Sequence, residues 1–284
     1  MTGSQVQRNK PIGVFDSGMG GLTVLRALMA RLPDESFVYL GDTARLPYGS
    51  KSPETVARYA VQCAQALMRS DIKLLVVACN TASAVALAPL KTALKPVPVI
   101  GVIEPGADAA VKAAASGRIA VIATEGTVRG GAYVRAIQAR SRLATVVQQP
   151  CPLFVALAEE GLVEGPIAEL TAKRYLDPLF ANPASWPECI VLGCTHFPVL
   201  KAVIGKIAGP GIALVDSAES TAEAVADMLN RQGLACTDAA QPSIRFFATD
   251  SPERFARVGE IFLGAKIADA AVELVDLQQI QAAG

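Results

Sequence analysis

Two short runs decide the fold: Leu74-Leu75-Val76-Val77-Ala78-Cys79-Asn80-Thr81 and Ile190-Val191-Leu192-Gly193-Cys194-Thr195-His196. Each is an apolar, β-branched stretch of strand length that ends in a cysteine followed by small polar residues. Each reads as a buried strand with a thiol at its C-terminal tip and a loop and helix behind it. In open α/β sheets that tip is where ligands meet the protein. A helix N-terminus also lowers a thiol's pKa and so favours the thiolate. Two such thiols on matching units imply two proton-transferring groups that face one substrate from opposite sides.

Outward from these runs, short apolar stretches alternate with longer Ala-rich helical ones, the pattern of βαβ units and parallel sheets. Strands are expected at 12–15, 37–41, 74–78, 99–102, 118–123, 144–148, 189–192, 213–215, 244–248 and 272–274. Among the expected helices are 22–31, 81–91, 106–115, 127–139, 198–207 and 217–232. I-G-V-F-D-S-G-M-G-G (12–21) and I-A-V-I-A-T-E-G-T-V (119–128) both read as strand, Gly-bearing loop and helix start. The expected architecture is therefore two similar, pseudo-symmetric α/β domains with mostly parallel sheets and an active site in the cleft between them. One domain takes residues 1–101 and, after a return, 216–284; the other takes 102–215.

Composition narrows the function. Lys plus Arg equals Asp plus Glu, at 26 each, and this balance argues against a nucleic-acid surface. The N-terminal segment has no apolar stretch of the signal-peptide kind, and no apolar run reaches membrane-spanning length. The expectation is a cytoplasmic protein that makes no membrane or nucleic-acid contact. Six cysteines without a C-x-x-C pair are not a disulfide framework, and a lone histidine, His196, argues against a metal site.

Several groups carry polar chemistry. Asp16 opens D-S-G-M-G-G, whose spacing fails the dinucleotide pattern at Thr23; it reads as a tight turn with an Asp cap, or as backbone N–H groups offered to a carboxylate. The G-D-T-A-R-L-P-Y-G loop brings Asp42, Arg45, Tyr48 and Gly49, with the Tyr48 hydroxyl and the Gly49 N–H as donors to an anion. Asn80, Thr81 and Ser83 crowd donors behind Cys79, and Thr124 and Thr127 flank the second Gly-bearing loop. His196 sits two residues beyond Cys194, where it can stabilise a thiolate or take its proton. Cys63, Cys151, Cys189 and Cys236 lack strand-tip settings and read as structural.

A proton on a carbon beside a carboxylate is weakly acidic, and inverting that centre without a cofactor needs a base on one face and an acid on the other. Two thiols on related half-domains meet that need. The segments at 15–24, 39–49, 78–84, 100–106, 123–133 and 192–198 together resemble the glutamate racemase family, in the family's order, within the wider aspartate/glutamate racemase superfamily. The resemblance implies an isomerase that interconverts L- and D-glutamate without pyridoxal phosphate or metal. It also implies a role in supplying D-glutamate to peptidoglycan, and so to cell-wall biogenesis and cell shape.

Carried over by motif, Cys79 would take the proton from D-glutamate and Cys194 from L-glutamate, assisted by Asp16 and His196 respectively. Glu159 or Glu160 would match a further cleft carboxylate, with Glu159 preferred. Asp16, Ser17, Tyr48, Gly49, Asn80, Thr81, Thr124, Thr127, Thr195 and His196 would bind substrate. The family is often a homodimer, and the short segment before the first strand argues against activation through an N-terminal extension. The rival readings are a racemase for aspartate or another acidic amino acid, a bilobal amino-acid-binding protein without turnover, and a thiol redox protein.

Overall fold

The computed structural model describes residues 3–236 and 242–278. Among the described residues ten strands appear: β1 (Ile12–Asp16), β2 (Phe37–Gly41), β3 (Leu74–Val77), β4 (Val99–Gly101), β5 (Arg118–Ala123), β6 (Thr145–Pro150), β7 (Cys189–Gly193), β8 (Ala213–Asp216), β9 (Ile244–Ala248) and β10 (Val272–Leu274). They form two sheets, ordered β10-β9-β2-β1-β3-β4 and β6-β5-β7-β8, and every pairing is parallel. The run β2-β1-β3-β4 and the whole second sheet share one order, so the coarse repeat in the sequence corresponds to a repeat of topology.

The central strands β1, β2, β3 and β7 are buried along their whole length, as the apolar runs require when helices cover both faces. The period-2 alternation divides their side chains between layers. Phe15, Val38, Leu40, Leu75 and Val77 pack into one cluster behind the first sheet. Ile119, Val121, Cys189 and Val191 pack into another behind the second. Ile12, Val14 and Val76 of the first sheet and Ile122, Ile190 and Leu192 of the second enter a single common core. That core also takes Leu22 and Leu25, Val225 and Leu229, and Phe255 and Phe262 from three helices.

Helix ends follow from local chemistry. Ser52 caps Pro53–Met68, Thr124 caps Glu125–Gly130 and Asp216 caps Ser217–Gln232, each by accepting a backbone N–H. Three expected helices differ. The one expected at 127–139 is two, because Gly131 adopts φ 59° and breaks it into Glu125–Gly130 and Ala132–Arg140. The one expected at 106–115 begins earlier, at Ile103, so Glu104 lies inside its first turn and pairs with Arg140 at 2.7 Å. Beyond Cys194 a 3₁₀ turn, Phe197–Leu200, precedes the helix Lys201–Ala208. A short helix, Gly3–Arg8, has no counterpart among the expected elements.

Far from the strand tips, Lys73 is fully buried and pairs with Glu35 at 2.5 Å. Its ammonium also donates to the carbonyls of Arg8 and Leu234, and Glu35 accepts the Cys236 N–H. This knot ties the N-terminal helix, the start of β3 and the end of Ser217–Gln232 together. Removing one partner strands a buried charge, so Lys73→Ala should lower the unfolding free energy by about 3–5 kcal/mol. Denaturant titration checks this, and a loss below about 1 kcal/mol would show that water reaches the pair.

Candidate active site

In the first sheet Phe15 lies in register with Val77, and in the second Ala123 lies in register with Gly193. The chain then leaves each pair of central strands at the same level. Ser17, Cys79, Thr124 and Cys194 emerge from these tips and wall one cavity of about 340 Å³. That volume is at the small end of the range for small-molecule sites.

Cys79 is the N-cap of the helix Asn80–Ala93, and its sulfur accepts the Ala82 N–H at 3.4 Å. Its thiol lies 3.5 Å from the Ser17 hydroxyl. Burial and the charge of Asp16 push the thiol up to about 12, against the opposing hydrogen bonds from Ser17 and Ala82. The expectation that the helix N-terminus makes this group a ready thiolate therefore fails: desolvation wins, and Cys79 rests as a thiol.

Cys194 has a different setting. Its sulfur lies 3.8 Å from His196 Nδ1, and His196 Nε2 lies 3.2 Å from Glu159 Oε1. The other Glu159 oxygen accepts from Arg254 at 2.9 Å. Burial lowers the imidazole's affinity for its proton, but the contacts with Cys194 and Glu159 and the charge of Asp16 outweigh it and raise His196 to about 10. Against its own burial, His196 and Arg254 hold the Glu159 carboxyl below its ordinary range. The ring packs edge-on against Phe262. Gly20 explains how it fits: a Cβ there would collide with the His196 ring and the Thr195 hydroxyl. Gly20 of D-S-G-M-G-G thus makes room for a histidine that follows β7 of the other sheet. Thr23 reinforces this contact by donating to the Thr195 carbonyl at 3.0 Å.

The family model described as Asp/Glu/Hydantoin racemase matches residues 21–225. The glutamate racemase of Geobacter metallireducens is 52% identical over 260 residues, covering 92% of this chain and 95% of its own. The glutamate racemase of Neisseria meningitidis serogroup A is 46% identical over 272 residues, with 96% and 98% covered. The chain belongs to the Asp/Glu/hydantoin racemase family. Among solved structures, glutamate racemase from Francisella tularensis in complex with D-glutamate matches with TM-score 0.88 and 38% identity, covering 96% of this chain and 99% of that one.

Most of the residues expected at the site do wall the cavity of this racemase: Ser17, Tyr48, Gly49, Cys79, Asn80, Thr81, Thr124, Glu159, Cys194, Thr195 and His196. Glu159 faces it, whereas Glu160 is exposed at the helix end. Two expected binding residues lie behind the wall. Asp16 is fully buried, accepts the Gly18 N–H at 2.9 Å, and has one oxygen with no hydrogen-bond partner. Thr127 is also fully buried, and its hydroxyl bonds to those of Thr81 and Thr124 at 3.3 and 3.1 Å, holding both in place. Tyr48 is among the lining residues, but its hydroxyl donates to Asp42 at 2.5 Å and is not offered to a ligand. Asp42 also takes Arg45 at 2.7 Å and Thr249 at 2.9 Å, so this loop is braced from behind.

Sequence reading missed the apolar part of the wall, Leu46, Pro47, Pro152, Val155 and Ala156, because such residues carry no motif. It also missed Arg254, which reaches Glu159 from the helix Pro252–Leu263, far along the chain. Among the described residues no cluster of three His, Cys, Asp or Glu could hold a metal ion, and no helix is long and apolar enough to cross a membrane.

His196 sets a pH dependence. Its folded pKa, about 10, lies above the free value of 6.5, so its contribution to stability is complete below about pH 6.5 and is lost as pH rises towards 10. Thermal melting of the wild type should fall over that window, and His196→Asn should flatten the fall. Parallel slopes for the two proteins would show that His196 is not the group that titrates.

Proposed function

We propose that this chain interconverts L- and D-glutamate by carrying the Cα proton between Cys79 and Cys194 across the cavity. The observation behind this reading is the placement of two thiols at matching strand tips of two like-ordered sheets, both walling one cavity, in a chain whose relatives are glutamate racemases. A thiolate on one face takes the proton from Cα, and the electron pair stays on the substrate as a carbanion conjugated with its carboxylate. The thiol on the other face returns a proton, which leaves a thiolate there and an inverted centre. No redox change occurs and no co-reactant is consumed.

The two thiols stand in different settings. Burial and Asp16 hold the proton on Cys79, while Cys194 lies 3.8 Å from the His196 imidazole, which holds its own proton strongly. The family pattern, carried over by motif, makes Cys194 the base towards L-glutamate and Cys79 the base towards D-glutamate. His196 and Glu159 serve Cys194. Asp16 serves Cys79 from behind the wall, by a charge that makes the sulfur a stronger base once its proton has gone. Asn80, Thr81, Thr124 and Thr195, together with the backbone at Ser17 and Gly49, supply donors to the two carboxylates.

In the same reading the catalytic cleft lies between a domain of residues 1–101 with 216–284 and a domain of 102–215. The enzyme acts in the cytoplasm as a homodimer and supplies D-glutamate for peptidoglycan. Light scattering on the purified protein tests the dimer, and a mass equal to one 29.5 kDa chain would reject it.

The first test is proton NMR with L-glutamate in D₂O, with no added cofactor, alongside chiral analysis. The reading requires loss of the Cα–H signal together with the appearance of D-glutamate. Exchange with aspartate alone would keep the mechanism and move the substrate; binding without exchange would favour a bilobal binding protein. Cys79→Ser and Cys194→Ser should each slow racemisation by on the order of 10²–10⁴-fold, the scale of a lost general acid or base. Near-normal turnover in either variant would exclude the two-thiol mechanism.

A further inference from the structure

Asn80 Nδ2 is one of three buried side-chain polar atoms without a hydrogen-bond partner among the described residues. Asn80 is almost wholly buried, stands next to Cys79 and walls the cavity. Its other amide atom is taken: Oδ1 accepts the Tyr133 hydroxyl at 2.7 Å. A carboxamide has one accepting and one donating end, so fixing the oxygen fixes the amine. The free end is a donor, and a substrate carboxylate needs a donor. Turned over, the amide would set its oxygen against that carboxylate.

Tyr133 is built to hold this orientation. It is fully buried on the helix Ala132–Arg140, which begins straight after the break at Gly131. Its ring lies in a slot that two glycines leave open. A Cβ on Gly106 would lie 3.2 Å from the hydroxyl oxygen and 3.3 Å from Cε1, and a Cβ on Gly193 would lie 3.2 Å from Cε2. Ser217, the first residue of the helix Ser217–Gln232, lies beside the same hydroxyl, next to Gly106. Asn80 follows β3 of the first sheet, whereas Tyr133 packs beside β5 and β7 of the second. The bond between them therefore crosses from one half of the molecule to the other.

We propose that Tyr133 is a positioning residue for substrate binding: its hydroxyl locks the Asn80 carboxamide so that Nδ2 faces the cavity and donates to a substrate carboxylate. The inference rests on the proposed glutamate racemase reading and adds to it a residue that never touches substrate. It also makes the aim of this donor depend on how the two halves stand relative to one another.

The test is steady-state racemisation by Tyr133→Phe, which keeps the ring and removes only the hydroxyl. KM should rise by roughly tenfold with kcat within about threefold, because a donor to a carboxylate present throughout the reaction binds ground and transition states alike. Both directions should show the same factor. In an Asn80→Ala background, the hydroxyl should have nothing left to orient, so adding Tyr133→Phe should change KM by less than about twofold. Gly106→Ala, which presses on the hydroxyl from outside, should raise KM in the same sense and serves if Tyr133→Phe does not fold. An unchanged KM in Tyr133→Phe, or full additivity with Asn80→Ala, would overturn the inference while an active wild type left the racemase reading standing. A wild type that neither racemises glutamate nor binds it by calorimetry would instead reject that reading, and the inference with it.

Discussion

An apolar core shared by one face of each sheet holds this molecule in register. Ile12, Val14 and Val76 enter it from the first sheet and Ile122, Ile190 and Leu192 from the second. Because side chains alternate along a strand, burying these faces also decides which way the tips of β1, β3, β5 and β7 leave the sheets. A slip of one residue in β3 or β7 would exchange the side chains of the two layers, mismatch their shapes, and carry its cysteine off the cavity. The positions of the two thiols are therefore a by-product of packing and need no separate device. Close-packed interiors tolerate little adjustment, and this is what makes such placement exact enough for the proposed proton transfer.

Within that symmetric frame the electrostatics are unequal. Cys79 faces a buried carboxylate, Asp16, and a hydroxyl, Ser17. Cys194 faces an imidazole backed by Glu159 and Arg254. Both sulfurs are about equally buried, so the difference lies in their neighbours: a carboxylate and a hydroxyl beside one, an imidazole that holds its proton beside the other. The inequality comes from what was added to each strand tip, because the backbone plan is common to both. Its most economical element is Gly20, where the absence of one carbon admits the only histidine in the chain.

The strand pattern was legible because parallel strands buried on both faces must be continuous apolar runs, and β2 and β5 fall where those runs lie. The outer strands β9 and β10, broken by Arg245 and Glu273, were legible from their β-branched and aromatic residues instead. Helix starts were less so. Glu104 and Pro105 look like a loop before a helix but occupy its first turn, where Pro is tolerated. The Gly130–Gly131 pair reads as helix until its φ is seen. At the site, residues next to a cysteine in sequence were legible, since strand tip, loop and helix start form one local unit. Orientation was not. Nothing in the local sequence says that the Tyr48 hydroxyl turns to Asp42, that Asp16 and Thr127 lie behind the wall, or that Arg254 arrives from another helix. Those outcomes are set by partners distant in the chain. The thiol's state was misjudged for a related reason: burial is a tertiary property and here exceeds the pull of a helix terminus.

The order of the strands has a consequence for how the molecule is made. Val38 of β2 pairs with Arg245 of β9, and β10 closes the far side of β9. All four strands of the second sheet lie between these partners in the chain. During synthesis, then, the second sheet has all its strands while the first still lacks its last two, and β2 stands as an open edge with unpaired backbone groups. Such an edge is a template for pairing with another chain. The nascent protein is thus most vulnerable to misassembly late, in the interval between completion of β8 and emergence of β9 from the ribosome.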